Sequence, residues 1–260
     1  MAIVGAGGKT TALFWLAREF GRAIVTTTTH LGEWQAADVD RHIIWSTDTP
    51  DALGGDLGDA GVTLVTGPVD RVTHRWRGLP DKAMSRLRGL AARLRTPLLI
   101  EADGSRQRPL KAPAAHEPAI PPAAEKVIVV AGLGALGRPL SSEHVHRPEI
   151  FAELAALRAG EPVTAEAVTR VLAHPEGGLR HIPPRAGRAV LLTQANAEEC
   201  RARAIEIARL LLPAFDAVIV SGSRPALVAG GEPAPADGCP AVIAVHERVA
   251  GIVLAAGASR

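Results

Sequence analysis

Short runs of β-branched and aliphatic residues alternate along the chain with stretches whose apolar positions recur every three or four residues, the period of a helix with one buried face. The runs predict strands at residues 2–4, 23–27, 42–45, 62–65, 97–102, 126–131, 189–192, 217–220 and 241–245. The helical period predicts helices at 10–20, 50–57, 81–94, 148–157, 165–173 and 197–211. Within 81–94, Met84, Leu87, Leu90, Ala91 and Leu94 share a face, while Arg86, Arg88, Arg93 and Arg95 fall mostly off it and read as solvated surface. Strands alternating with helices in this way predict a three-layer α/β fold around a mostly parallel sheet.

Helix boundaries are marked in places. Thr49 before Pro50 reads as a cap followed by proline at the first helical position. Asn196 with Glu199 reads as a capping box, and Pro213 ends the helix so begun. Two segments interrupt the alternation. Residues 106–122 hold five prolines and predict a long ordered loop over the strand ends. Residues 148–187 are helical and polar and predict a small inserted helical cap. Residues 224–240, rich in Gly, Pro and Ala, read as a flexible loop.

Composition narrows the function class. With 47% hydrophobic and 22% charged residues the chain is globular, and a net charge of +2 gives no argument for nucleic acid or a membrane surface. Two cysteines, Cys200 and Cys239, suit a reducing compartment and exclude a disulfide framework. The absence of a CxxC pair argues against structural zinc. No signal-peptide pattern and no long apolar span is present, so the expected location is the cytoplasm.

Chemistry begins at the N-terminus. A strand, then Gly5-Ala6-Gly7-Gly8-Lys9-Thr10-Thr11 opening a helix, is the context of a phosphate loop. Glycines let backbone N–H groups approach oxygen anions, and the helix adds its positive dipole end. Lys9 is expected to neutralise the outer phosphates and the Thr10 hydroxyl to ligate Mg²⁺. Ile3 stands where the full pattern has glycine, so the loop is similar to the shortened Gly-x-x-Gly-Lys-Thr form of Mur-type ligases. The fold expected is therefore of the P-loop nucleotide-binding type, spanning residues 1–248.

The predicted strand 97–102 delivers Glu101 and Asp103 at its carboxyl end, where open α/β sheets collect ligands. One of the pair is expected to face Mg²⁺ and the other to anchor the loop. Arg106, Arg108 and Lys111 follow on the proline-stiffened loop and are expected to face an anionic second substrate. His116 beside Glu117 adds a titratable group. Thr26, Thr27, Thr28, Thr29 and His30 end the second strand, expected to lie beside the first, where hydroxyls reach the phosphate side. His144 and His146 are spaced as metal ligands on a strand, though an anion contact is the better reading. Thr193-Gln194-Ala195-Asn196 stands where guanine-reading proteins carry Thr/Asn-Lys-x-Asp; Asn196 cannot accept the paired guanine donors as a carboxylate does, so ATP is expected before GTP. Cys200 reads as a helix residue.

On these residues the chain resembles the YqeC family, accessory proteins of selenium-dependent molybdenum hydroxylases. The resemblance rests on residues 4–11, on 26–30 and on the run Glu101-Ala102-Asp103-Gly104-Ser105-Arg106-Gln107-Arg108-Pro109-Leu110-Lys111-Ala112-Pro113, extended by 116–118, 145–148 and 192–196. It implies nucleotide binding and a part in preparing a selenium-containing molybdenum cofactor, with such a hydroxylase as partner. Residues 249–260 resemble the opening of a molybdenum-cofactor cytidylyltransferase, so both ends read as clipped and a fused or separate transferase is implied. The expected activity is Mg²⁺-dependent nucleotide hydrolysis, or phosphoryl or ligase-type activation. The alternative is a nucleotide-gated chaperone or carrier delivering cofactor or selenium.

Overall fold

Alternation along the first strand, Ala2–Gly5 (β1), sends Ala2 and Val4 to one core cluster and Ile3 to another, and the sheet repeats this division strand by strand. The computed structural model describes residues 1–33, 39–46, 61–222 and 242–247. The predicted helix 50–57 with its Thr49–Pro50 cap, the loop 224–240, Cys239 and residues 249–260 lie outside them.

In chain order β1 is followed by Lys9–Glu19 (α1), Arg22–Thr27 (β2), His30–Gly32 (β3), Arg41–Ile44 (β4), Gly61–Thr66 (β5), Val69–Asp70 (β6), Arg75–Arg77 (β7) and Asp81–Arg93 (α2). Then come Leu98–Glu101 (β8), Leu110–Lys111 (β9), Lys126–Gly132 (β10), Val145–His146 (β11), Pro148–Ala155 (α3) and Ala165–Ala173 (α4). Gly187–Thr193 (β12), Glu198–Leu211 (α5), Ala217–Ser221 (β13) and Val242–Glu247 (β14) complete the series.

The nine predicted strands form one sheet in the order β14-β13-β12-β10-β1-β8-β2-β5-β4. Every pairing is parallel except β13–β14. One face carries α1, whose Leu13, Phe14 and Ala17 pack on Ile3, Val25 and Val130. The other carries α2 through Leu87 and Leu90, α4 through Val168 and Val171, and α5 through Ala204 and Ile207. A fully buried Leu or Ile on either face contributes about 1.5–3 kcal/mol. The architecture is the expected three-layer α/β fold.

Four local expectations need correction. β2 does not lie beside β1, because β8 pairs with both and separates them. The segment 148–187 is helical at α3 and α4, but its inner faces are apolar: Phe151, Val163, Val168 and Val171 join the main core, since a helix on the sheet must bury a stripe. The capping box at Asn196 is not formed, because Ala197 occupies the N-cap of α5 without a side-chain cap. His144 and His146 do not share a strand, as β11 is only Val145–His146.

Candidate phosphate-binding site

Because neighbouring strands from β4 to β13 run parallel, the segments after β1, β8, β10 and β12 emerge at one edge of the sheet. Backbone geometry explains the glycines after β1. Gly5 has φ +97°, and a Cβ there would stand 2.2 Å from the Val130 carbonyl oxygen. Gly7, at φ +78°, would place a Cβ 2.5 Å from the Gly132 nitrogen. The loop thus lies hard against β10, tied by the Ala6 N–H donating to Val130 O at 2.8 Å. Gly8 is the N-cap of α1 and supplies no side-chain acceptor, so no side chain competes with an external anion for the first-turn amides.

Residues far apart in the chain meet below this loop. Thr10 donates its hydroxyl to Glu101 Oε2 at 2.8 Å, across 91 positions. Lys9 Nζ donates to Gly5 O at 2.7 Å and stands 3.4 Å from Asp103 Oδ1. Asp103 Oδ2 accepts the Gly5 N–H at 3.0 Å and Lys111 Nζ at 2.9 Å. Asp103 therefore braces the loop from beneath while Glu101 holds the threonine.

The ionic chain continues outward. Lys111 Nζ also donates to Gly104 O at 2.6 Å and pairs with Glu117 Oε2 at 2.7 Å. Arg147 grips both oxygens of Glu117, at 2.6 and 2.8 Å. Lys111, expected to face a second substrate, is instead buried with its side chain 2% exposed, because two carboxylates and a carbonyl compensate its desolvation. Arg106 is exposed and Arg108 half-buried on the same loop. Neither makes an ion pair among the described residues. His116 is exposed, 3.9 Å from Glu117.

Sequence reasoning missed Arg75. It lies on β7 of a three-stranded sheet, β3-β7-β6, donates to His30 O at 3.2 Å, and its charge lowers the Glu101 pKa. Strands of two or three residues, one of them with exposed arginines, carry no apolar period by which to find it.

Burial raises the Glu101 pKa above the usual carboxylate range, against the opposing pull of Lys9 and the Thr10 hydroxyl. Burial also raises that of Glu117, but hydrogen bonds from Arg147 and Lys111 outweigh it and hold the group at about 2. Burial, then Arg147 and Lys111, lower His146 to about 4. An unfolded chain takes up a proton at His146 near pH 6.5 that the folded chain refuses until about 4, so stability present above 6.5 drains away as pH falls across that window. Glu117 continues the loss from 4.5 to about 2. Melting temperature followed by circular dichroism should fall across both ranges, and His146→Asn should flatten the upper one; an unchanged upper slope would assign it to another group.

Two features would suit a phosphate and a cation, and a third observation limits how a cation could be held. Asp103 Oδ1 is buried without a hydrogen-bond partner. The loop amides face a side-chain-free N-cap. Among the described residues no cluster of three or more His, Cys, Asp or Glu is set to hold a metal, so a Mg²⁺ at Thr10 and Glu101 or Asp103 needs phosphate oxygens and water to complete its shell. Behind the loop, Gly5, Asp103, Lys111, Val130, Phe151 and Val171 line a cavity of about 30 Å³, room for water and not for a nucleotide.

A model of the "YqeC protein" family matches residues 1–149, more than half of the chain. The chain belongs to the YqeC family. It is similar to "Uncharacterized protein YqeC" of Escherichia coli (strain K12), 33% identical over 192 residues, which cover 70% of this chain and 71% of that protein. No solved structure gives a significant match. The family match covers the loop, Glu101, Asp103 and the 106–122 segment together, so the YqeC assignment and the site geometry concern the same part of the molecule. No helix among the described residues of this YqeC-family chain is long and apolar enough to cross a membrane.

Proposed function

We propose that the chain binds a Mg²⁺-nucleotide, ATP before GTP, at Gly5, Ala6, Gly7, Gly8, Lys9, Thr10 and Thr11, and couples its hydrolysis or phosphoryl transfer to maturation of the cofactor of a selenium-dependent molybdenum hydroxylase in the cytoplasm. The observation that carries the reading is the meeting of Lys9, Thr10, Glu101 and Asp103 beneath one glycine loop. Loop amides and Lys9 would hold the phosphates; Thr10 with Glu101 or Asp103 would hold the cation. Mg²⁺, when bound, offsets phosphate charge. Lys9 is held until then by Gly5 O and Asp103, and its exchange of those partners for phosphate leaves Asp103 still compensated by Lys111 and the Gly5 N–H. Arg106 and Arg108 at the loop surface, with Arg75 across the site, suit an anionic second substrate.

Lys9→Ala should weaken binding of a fluorescent ATP analogue more than tenfold and abolish turnover, with the fold retained by circular dichroism. Equal affinity in wild type and variant, or binding in neither, rejects the reading.

One observation favours a second reading, a nucleotide-gated chaperone or carrier. The chain Asp103–Lys111–Glu117–Arg147 runs from the loop to the N-cap of α3, a row of ion pairs through which occupancy at one end would bear on a helix at the other. Capture of a hydroxylase only with a non-hydrolysable ATP analogue present, together with slow turnover, would select it.

A further inference from the structure

Register in the small β9–β11 ribbon decides which side chains meet. The two strands pair in parallel, with Leu110 opposite Val145 and Lys111 opposite His146. Alternation sends Leu110 and Val145 into the core and sets Lys111 beside His146 on the other face. Arg147 follows at φ +62°, a left-handed conformation that breaks the alternation, and its guanidinium grips Glu117, which Lys111 also holds. His146 stands half-buried beside this ionic row.

The loop before β9 brings a further cation. Arg106 and Gln107, at φ +49° and +61°, are consecutive left-handed residues in a turn that the Arg108 N–H closes on Ser105 O at 3.0 Å. Side chains rarely adopt that backbone conformation, and it concentrates at binding sites. The far end of the loop is fixed against the phosphate loop. Pro109 O accepts the Gly132 N–H at 2.9 Å and lies 2.6 Å from where a Gly7 Cβ would be. Arg106 is exposed, yet its charge reaches His146, as do those of Lys111 and Arg147, with Glu117 opposing them. Carboxylates already satisfy Lys111 and Arg147. The Arg106 guanidinium and the His146 ring have no hydrogen-bond partner among the described residues.

We propose that Arg106 and His146 form a second oxyanion site, next to the phosphate loop, that takes the phosphate group of the second substrate. The site itself is independent of nucleotide; its assignment to a substrate rests on the reading above and deepens it. Oxygen count selects a phosphoryl group. A guanidinium fork meets two oxygens in one plane, and an imidazole N–H from another element suits a third. A planar carboxylate has only two to offer. Charge agrees, since cations prevail around His146 and suit a dianion. Burial, Arg147 and Lys111 hold the ring at about 4, so at neutral pH it presents a single N–H donor.

The test follows the imidazole resonances of the full chain by NMR as inorganic phosphate is added at constant ionic strength. Loss of one signal in His146→Asn assigns the ring, and melting curves check that each variant folds. Phosphate should shift the His146 signal saturably and raise its pKa, because a neighbouring anion favours the imidazolium. Arg106→Ala should weaken phosphate binding read at His146 at least tenfold, whereas Lys9→Ala, which removes the cation of the phosphate loop, should leave it unchanged. Acetate should not reproduce the shift, and phenyl phosphate, a monoester, should bind as well as phosphate does. A His146 signal blind to phosphate, or moved equally by acetate, overturns the site. So does an unchanged affinity in Arg106→Ala, or a response lost in Lys9→Ala. A monoester excluded where inorganic phosphate enters marks a site for the free ion and overturns the substrate role. Failure of wild type to bind ATP sinks the parent reading and the substrate role together, while the phosphate titration still judges the site.

Discussion

Asp103→Ala should lower the free energy of unfolding by about 3–5 kcal/mol, the usual cost of removing one partner from a buried ion pair. The size follows from what the carboxylate holds. It is 2% exposed, accepts the Gly5 N–H and Lys111, and faces Lys9. Alanine orphans a buried backbone donor and leaves Lys111 with Glu117 and a carbonyl alone. Asp103→Asn keeps the shape and loses the charge, so it should cost less. Urea denaturation without any nucleotide measures both; a loss below about 1 kcal/mol for alanine would mean that Glu117 satisfies Lys111 unaided.

Gly5→Ala is expected to be comparably severe, for a steric reason. Its φ of +97° strains any L-residue, a cost of about 1–3 kcal/mol. The added carbon would also lie 2.2 Å from the Val130 oxygen, and β10 could yield only by disturbing its pairing with β1 or β12. Overpacking of that kind adds about 1–3 kcal/mol more. Gly21→Ala is the control: φ is +66° but nothing lies within 4 Å of the new carbon, so only the strain remains. If the two variants melt together, the close approach to β10 is not what fixes the loop. If Gly5→Ala alone drops the melting temperature, the glycine is required by contact as well as by conformation.

Much of this was legible from residue pattern. All nine predicted strands occur in the main sheet, because each is an aliphatic or β-branched run, buried along the central strands and partly exposed at the edge strands β4 and β14, and Ala165–Ala173 falls where its helical period places it. Sheet order was not legible. The insertion of β8 between β1 and β2 depends on long-range pairing, which carries no local signature. The small β9–β11 and β3-β7-β6 sheets escaped because two or three residues cannot display a period. At the site, the meeting of Glu101 and Asp103 with the loop follows from a strand-end rule that sequence can apply. The burial of Lys111 does not, since a lysine on a proline-rich loop reads as solvated until the carboxylates around it are located. The displaced cap at Asn196 is a shift of one residue, decided by how the turn at Gln194 closes.

The row Lys9, Asp103, Lys111, Glu117, Arg147 alternates in sign and has a cation at each terminus. The row itself carries one more cation than anion, with Glu101 close by as a further acid at the Lys9 end. An anion that drew Lys9 away would leave Asp103 to Lys111 and the Gly5 N–H, which would weaken the hold of Lys111 on Glu117 and tighten that of Arg147. Charge drawn off near the N-terminus of the chain is thereby felt at the first turn of α3, with no side chain needing to travel the distance between them.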